Sequence, residues 1–204
     1  MGKIYIVQHC QSEHIIDGQT GGWTDSSLTE KGIKQAKACA NELFVLAGLD
    51  GVKIMSSDLK RARCTAIIIS TTLNGHLTCH ESLREMNNGE AANKSLRWAR
   101  DNMLVPNDKL YIDKPRWTGA ETPRELYQRM ESFYNNELKD LEEDVVVVSH
   151  GIAISYLVSI YLGFSLEELK NASMMGSAGG ITVLQKSNLH QNQLKHFNHI
   201  GHLV

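Results

Sequence analysis

Short runs of β-branched residues alternate with longer segments of helical periodicity along this chain of 204 residues. The clearest run is the four valines from Val145 to Val148, and another apolar run covers Ile4 to Val7. Strands separated by helices in this way are typical of βαβ units and a parallel sheet. We therefore expect a three-layer α/β/α fold with a doubly wound, mostly parallel sheet. Its antiparallel edge strand is predicted at Ile181 to Leu184, paired with Leu194 to Phe197.

The remaining elements follow from hydrophobic periodicity and from capping residues. Further strands are predicted at Val52 to Met55 and His76 to His80, and helices at Leu28 to Leu46, Arg61 to Thr71 and Thr122 to Leu141. We expect Ser56-Ser57-Asp58 to cap the second of these helices. Thr122-Pro123-Arg124-Glu125 combines a capping box with proline in the first turn, which predicts the start of the third.

Residues 86–120 show little periodicity of either kind. Long irregular segments in compact domains often cover a substrate. We therefore predict one domain, residues 1–204, in which residues 86–120 form a substrate-covering insertion.

Composition and charge argue against several classes of protein. The formal net charge is -2, so no global basic field favours nucleic acid or an anionic membrane. The apolar run Ile152 to Phe164 is interrupted by polar residues and is shorter than a membrane span. We therefore expect a cytoplasmic protein. The four cysteines lie far apart without a C-x-x-C pair, so we interpret them as free thiols, with a disulfide as the less favoured alternative.

Most of the histidines show no spacing typical of metal ligands. We predict no metal site and interpret the C-terminal group as part of an exposed edge and tail. The histidines concerned are His76, His80, His190, His196, His199 and His202.

Polar clusters follow three of the predicted strands. They are Gln8-His9-Cys10, the segment Ser56 to Arg61, and Ser149-His150-Gly151. In a doubly wound sheet, ligands bind beyond the carboxyl ends of the strands. Two histidines that follow different parallel strands can face one small molecule, and the helix after Gly151 directs its N-terminal amides to the same place.

These residue types favour phosphoryl chemistry. A neutral imidazole can attack phosphorus without a separate base. Arg61, an imidazolium at His150 and helix amides can stabilise the charge on the phosphoryl oxygens. The leaving alkoxide needs a proton, and the carboxyl group of Glu85, just after the third predicted strand, can supply it.

Taken together, these motifs resemble the histidine phosphatase and phosphoglycerate mutase superfamily. The match begins with Gln8-His9-Cys10-Gln11-Ser12 and covers most of the chain, from residue 4 to about 184. The later motifs are Gly22-Trp23-Thr24-Asp25, Ser56-Ser57-Asp58-Leu59-Lys60-Arg61-Ala62, Leu83-Arg84-Glu85, Gly119-Ala120-Glu121-Thr122 and Val147-Val148-Ser149-His150-Gly151.

The resemblance implies a phosphohistidine intermediate on His9, with Arg61 and His150 binding the phosphoryl group. It implies Glu85 as proton donor and later as base for water, and no metal or organic cofactor.

Further candidate contacts to phosphate or substrate come from the same motifs, although each has a plainer interpretation as well. Trp23 is interpreted equally well as an anchor that packs its loop on the core and as a substrate contact. Gln11 and Ser12 can belong to a polar loop without having any function. The candidates are Gln8, Gln11, Ser12, Gly22, Trp23 and Gly151.

Two positions depart from the family pattern. Gln8 stands where the resemblance implies an arginine, and Ile15 where many members carry a phosphate-binding asparagine. A neutral amide replaces a charged fork at position 8, so we predict weak catalysis.

Three functions stay open at this point. The favoured one is a phosphomonoester hydrolase acting on a small phosphorylated metabolite. A catalytically weak phosphoester-binding protein and a phosphoglycerate mutase are the alternatives, and a homodimer is also left open.

Overall fold

A six-stranded mixed sheet forms the centre of the protein, described here by a computed structural model for residues 2–203. Met1 and Val204, the two ends of the predicted domain, lie outside the described residues. The strands are β1 (Ile4–Gln8), β2 (Lys53–Ser56), β3 (His76–Cys79), β4 (Val145–Ser149), β5 (Ile181–Lys186) and β6 (Asn192–His199). The helices are α1 (Glu13–Ile16), α2 (Glu30–Ala47), α3 (Lys60–Thr72), α4 (Leu96–Asp101), α5 (Pro123–Phe133) and α6 (Gly151–Leu162).

The strand order is β3-β2-β4-β1-β5-β6. The first four strands in this order pair in parallel, whereas β5 runs antiparallel to both β1 and β6. The predicted α/β fold with a mostly parallel sheet is therefore confirmed. One detail is wrong, because β5 lies between β1 and β6 and the antiparallel edge strand is β6. The hydrogen-bonding groups of β5 are used on both sides, and the longer β6 closes the sheet.

Both faces of the central strands are buried, which explains their continuous apolar runs. Val145 and Val147 of β4 pack in the cluster that includes α5 and α6. Val146 and Val148 point to the opposite face and pack with α2 and α3. The alternation of side chains along a strand thus divides the core into two layers, one on each side of the sheet.

The structure confirms one predicted helix start and contradicts the capping residues predicted for another. The capping box of Thr122 and Glu125 is present at the start of α5, as predicted. The predicted caps of α3 are wrong, because its N-cap is Leu59. Ser57 Oγ accepts the N–H of Leu59 from outside the helix and also lies 2.8 Å from His150 Nε2. Asp58 is used in an ion pair with Arg84.

Residues 86–120 contain α4 and several turns but no strand of the sheet. Hydrogen bonds join this segment to the loop that follows α1. Thr20 N–H donates to the carbonyl of Lys94, and Leu96 N–H donates to that of Gly18. These bonds hold the segment against residues 18–20. Within residues 2–203, no helix is both long and apolar enough to cross a membrane.

Candidate active site

The predicted polar clusters meet at the carboxyl ends of β1, β2 and β4. Hydrogen bonds between strand ends hold the backbone there, from His9 N–H to Ser149 O at 2.9 Å and from Ser57 N–H to Val148 O at 3.0 Å. The imidazole rings of His9 and His150 are both buried, and their centroids lie 5.0 Å apart. The parallel sheet thus brings together two histidines separated by 141 positions in the sequence.

The hydrogen bonds of His9 assign its tautomer. Its Nδ1 lies 2.8 Å from the carbonyl of Cys10, which can only accept, so Nδ1 carries the hydrogen. Nε2 is then unprotonated and accepts a hydrogen bond from Arg61 Nε at 3.1 Å. Burial, reinforced by the charge of Arg61, lowers the pKa of His9 to about 3. At neutral pH the ring is neutral, and the electron pair on Nε2 is unprotonated and accepts this hydrogen bond.

Arg61 is a buried cation with neutral partners. It is 1% exposed, and its other two hydrogen bonds go to the carbonyls of Thr24 and Gly22. Three of its five N–H groups are used in this way, which leaves two for a ligand. Within residues 2–203, no carboxylate lies within 4.0 Å of its guanidinium. Because a buried unpaired charge is costly, the site is suited to an anion.

His150 is fully buried, and its Nε2 lies 2.8 Å from Ser57 Oγ. Its Nδ1 is buried and has no hydrogen-bond partner among the described residues. Burial and the charge of Arg61 hold the pKa of His150 well below its usual range. The expected imidazolium is therefore absent at neutral pH, and the ring is neutral beside Arg61.

Glu85 places its carboxylate at the N-terminus of α6. It accepts hydrogen bonds from Ile152 N–H at 3.1 Å and Ala153 N–H at 3.0 Å, and a third from Met86 N–H at 2.9 Å. Burial raises the pKa of Glu85 above its ordinary value, although these N–H groups and Arg61 oppose the increase. A carboxyl group that keeps its proton to higher pH is suited to proton transfer.

A cavity of about 930 Å³ opens above this cluster. Gln8, His9, Gly22, Glu85 and Gly151 line it, and residues of the 86–120 segment form part of its wall. Arg61 and His150 do not line it, and both are almost fully buried. The cavity is therefore lined by His9 and Glu85, while the buried Arg61 cation stays out of water.

The family is decided by comparison with known proteins. Residues 4–199 match the family described as "Histidine phosphatase superfamily (branch 1)". The chain belongs to this superfamily. The prediction of a phosphatase of the histidine type is confirmed at this level.

The relatives of this histidine phosphatase are named for different activities. It is 32% identical to "Putative phosphoserine phosphatase 2" of Hydrogenobacter thermophilus, over 96% of this chain and 98% of the relative. It is 33% identical to "Probable phosphoglycerate mutase GpmB" of Escherichia fergusonii, over 80% of this chain and 76% of that protein. A solved mycobacterial glucosyl-3-phosphoglycerate phosphatase has the same fold, with a TM-score of 0.80 at 19% identity over 97% of this chain and 99% of that one.

The other predicted contacts of this histidine phosphatase fall into two groups. Gly22 lines the cavity, and its φ of +56° with Asn88 Oδ1 only 2.2 Å from an added Cβ requires glycine. Trp23 lies outside the lining and donates from Nε1 to the carbonyl of Glu85. Gln11 and Ser12 are also outside the lining, since their side chains bond Thr29 Oγ1 and His14 Nδ1. These three residues support the loops around the site.

Gln8 presents an amide to the cavity beside Gly151. Its Oε1 is buried and has no hydrogen-bond partner within residues 2–203. An added Cβ at Gly176 would come within 3.1 Å of this oxygen. The amide is therefore enclosed between two glycines, with one unsatisfied acceptor near the site.

The structure adds His14, which the sequence analysis did not single out. His14 is buried, lines the cavity and has its ring centroid 6.2 Å from that of His9. Its Nδ1 lies 2.8 Å from Ser26 Oγ, and burial lowers its pKa to about 4. His14 lies in α1, whose single turn is too short to show a periodicity that could have indicated this placement.

Arg129 was also missed. On α5 it forms an ion pair with Glu121 at 2.8 Å and donates to the carbonyls of Ser82, Arg84 and Glu85. These bonds fix the segment that carries the Glu85 side chain. Its helical position could have been deduced from the capping box at Thr122, but its partners could not.

Proposed function

We propose that this chain is a phosphomonoester hydrolase that acts through a phosphohistidine on His9. The observation that carries the proposal is the buried guanidinium of Arg61, without a carboxylate partner in residues 2–203, 3.1 Å from the unprotonated Nε2 of His9. An anion that is attacked by Nε2 fits both groups at once. The substrate is a small phosphorylated metabolite.

The first step forms a bond from His9 Nε2 to phosphorus and breaks the bond from phosphorus to the ester oxygen. The alkoxide that leaves takes the proton of the Glu85 carboxyl group. The two remaining N–H groups of Arg61 stabilise charge on the phosphoryl oxygens. The amides of Ile152 and Ala153 at the start of α6 hold the Glu85 carboxyl group in place. His150 contributes Nδ1, which carries a hydrogen for a phosphoryl oxygen when Ser57 Oγ donates to Nε2.

The second step returns the enzyme to its starting state. The Glu85 carboxylate accepts a proton from water as the water oxygen attacks phosphorus. The bond from phosphorus to Nε2 breaks, its electron pair returns to His9, and inorganic phosphate leaves. No metal or organic cofactor enters either step.

The residues around the cavity are proposed to have different roles in substrate binding. Gln8, Gly22 and Gly151 are proposed to contact the phosphate end, while Gln11, Ser12 and Trp23 support the loops. Residues 86–120 are proposed as the cover of a single domain, because α4 and the turns around it form part of the cavity wall. The relatives named as phosphoserine and glucosyl-3-phosphoglycerate phosphatases favour a small phosphorylated metabolite as the substrate. A cytoplasmic location and a homodimer stay predictions.

Labelling with a radioactive phosphodonor tests the mechanism. After a short pulse, the parent should carry label that is labile in acid and stable in base, and His9→Ala should carry none. His76→Ala is the matched control, because His76 is exposed at the start of β3. Equal labelling of His9→Ala and the parent would falsify the phosphohistidine mechanism.

A catalytically weak phosphoester-binding protein is the second candidate, favoured by the neutral amide of Gln8 where the family resemblance implies arginine. Loss of one transition-state donor typically lowers kcat by about 10²–10³. Gln8→Arg should therefore raise hydrolysis by up to about that factor if the chain is an enzyme. No gain on a broad panel of phosphomonoesters would favour the binding role.

The relatives named as mutases motivate a third assay. Conversion of 3-phosphoglycerate in the presence of a bisphosphoglycerate primer would assign mutase chemistry.

A further inference from the structure

A second cluster of potential ligands joins α2 to the C-terminal end of β6. One ring nitrogen each of His199 and His202 and one carboxylate oxygen of Glu42 lie within 4.8 Å of one another. His199 Nε2 is 2.8 Å from Glu42 Oε1, and the two imidazole centroids are 5.5 Å apart. The sequence analysis interpreted both histidines as part of an exposed edge and tail. His199 does end the edge strand β6, but the expected exposure of the two side chains is wrong, because packing against α2 half-buries them.

His202 is held as a metal ligand would be. Its Nε2 lies 3.1 Å from the carbonyl of Gly179, which can only accept, so Nε2 carries the hydrogen. Nδ1 is then unprotonated, and it is buried without a hydrogen-bond partner among residues 2–203. A backbone carbonyl that binds the second ring nitrogen is the usual way of orienting a ligating imidazole.

The hydrogen bond between Glu42 and His199 does not by itself explain this arrangement. It satisfies Glu42 and His199 but leaves the buried Nδ1 of His202 without a hydrogen-bond partner in residues 2–203, which is unfavourable for a buried polar atom. A cation bound by all three side chains satisfies every one of these groups.

The donor set and its spacing select the class of ion. Two imidazoles and one carboxylate suit zinc, whereas calcium and magnesium prefer oxygen ligands alone. Bonds of about 2.0–2.1 Å to one tetrahedral zinc ion place the ligand atoms about 3.3 Å apart. From separations of up to 4.8 Å, the three atoms must therefore close by up to about 1.5 Å. Side-chain rotation at a half-buried site can supply a movement of this size. Water can occupy the fourth position.

We propose that Glu42, His199 and His202 bind one divalent cation of the zinc class, outside the catalytic cavity. The ion would tie the end of β6 to α2. It would also brace Gly179, whose N–H donates to the carbonyl of Gln8 at 3.0 Å. The proposal is independent of the phosphatase mechanism, because none of its three ligands lines the cavity.

Zinc binding to the intact protein tests the site directly. After dialysis against a chelator, titration with zinc in competition with a chromophoric chelator should show one tight site per chain. His199→Ala and His202→Ala should each weaken that site by more than the 10–100-fold typical of losing an outer partner. Glu42→Gln should weaken it as well and keeps the shape of the side chain. Cobalt substitution gives an independent reading, since loss of a nitrogen ligand alters the visible absorption spectrum.

His196→Ala is the matched control, because His196 is exposed on the same strand three positions before His199. It should bind zinc as the parent does. Zinc should raise the thermal unfolding temperature of the parent and of this control but not that of His202→Ala. If Glu42→Gln and both histidine variants bind zinc like the parent, or the parent binds none, the proposal is wrong. Retained binding in these variants with loss in His9→Ala would place the ion at the catalytic histidines instead.

Discussion

The floor and the rim of the cavity are built in opposite ways. We call the buried cluster of His9, Arg61 and His150 the floor, although only His9 lines the cavity. These side chains are fixed by hydrogen bonds to strand ends and loop carbonyls. On the rim, Ile15 and Met175 are 49% and 55% exposed. Both line the cavity, but their side chains are apolar and face solvent. The floor is thus organised before a ligand arrives, whereas the rim gains contacts when one binds.

This difference predicts that the floor controls the chemical step and that the rim controls substrate binding. Preorganised donors lower a barrier because they need no rearrangement as charge develops. Exposed apolar side chains contribute when a ligand removes them from water, which affects binding far more than the chemical step. Changes on the floor should therefore alter kcat, and changes on the rim should alter KM. The following variants test that division.

The largest effect is expected for Glu85→Gln with an alkyl phosphate as substrate. A general acid typically contributes about 10²–10⁴ in rate, and kcat should fall by that order. With p-nitrophenyl phosphate, whose leaving group needs no proton, the loss in the first step should be much smaller. Glu90→Gln is the control, because Glu90 is exposed. Equal losses on both substrates would assign Glu85 a structural role.

The pH profile sharpens the same assignment. Burial raises the pKa of Glu85, so the protonated acid persists to higher pH than an exposed carboxyl would. The rate of formation of the phosphoenzyme from an alkyl phosphate should decrease as pH rises through this pKa. The decrease should be absent in Glu85→Gln.

Arg61→Ala should follow, with a fall in kcat of about 10²–10³, because it removes a charged donor beside His9 Nε2. Arg63→Ala is the matched control, since Arg63 is exposed two positions away on the same helix. Steady-state kinetics of both variants measure the difference. A KM increase in Arg61→Ala with kcat unchanged would break the distinction between floor and rim.

The smallest effect is expected on the rim. Leu96 is 60% exposed and lines the cavity, so Leu96→Ala should raise KM by up to about tenfold with kcat almost unchanged. Leu104→Ala is the control, because Leu104 is similarly exposed but lies outside this cavity. A decrease in kcat equal to the change in kcat/KM would show that the rim acts in the transition state.

The fold was largely readable from local patterns. The four valines at 145–148 predicted a strand with both faces buried, and the capping box at Thr122 predicted the start of α5. The motif order likewise indicated His9, Arg61, Glu85 and His150 as one site. Their catalytic roles stay predictions, but three strand ends and the start of α6 bring the four together.

Sequence by itself determined the strands, the start of α5 and the residues that follow the strand ends, because these depend on neighbours within a few positions. Tertiary structure alone decided the hydrogen-bond partners of those residues. His150 is a neutral ring because it is buried beside Arg61. Ser57, predicted as a cap of α3, contacts His150 Nε2 instead. Glu42 and His199, 157 positions apart, met only because β6 closes the sheet beside α2. Protonation and long-range pairing depend on packing, and packing is settled only when distant segments meet.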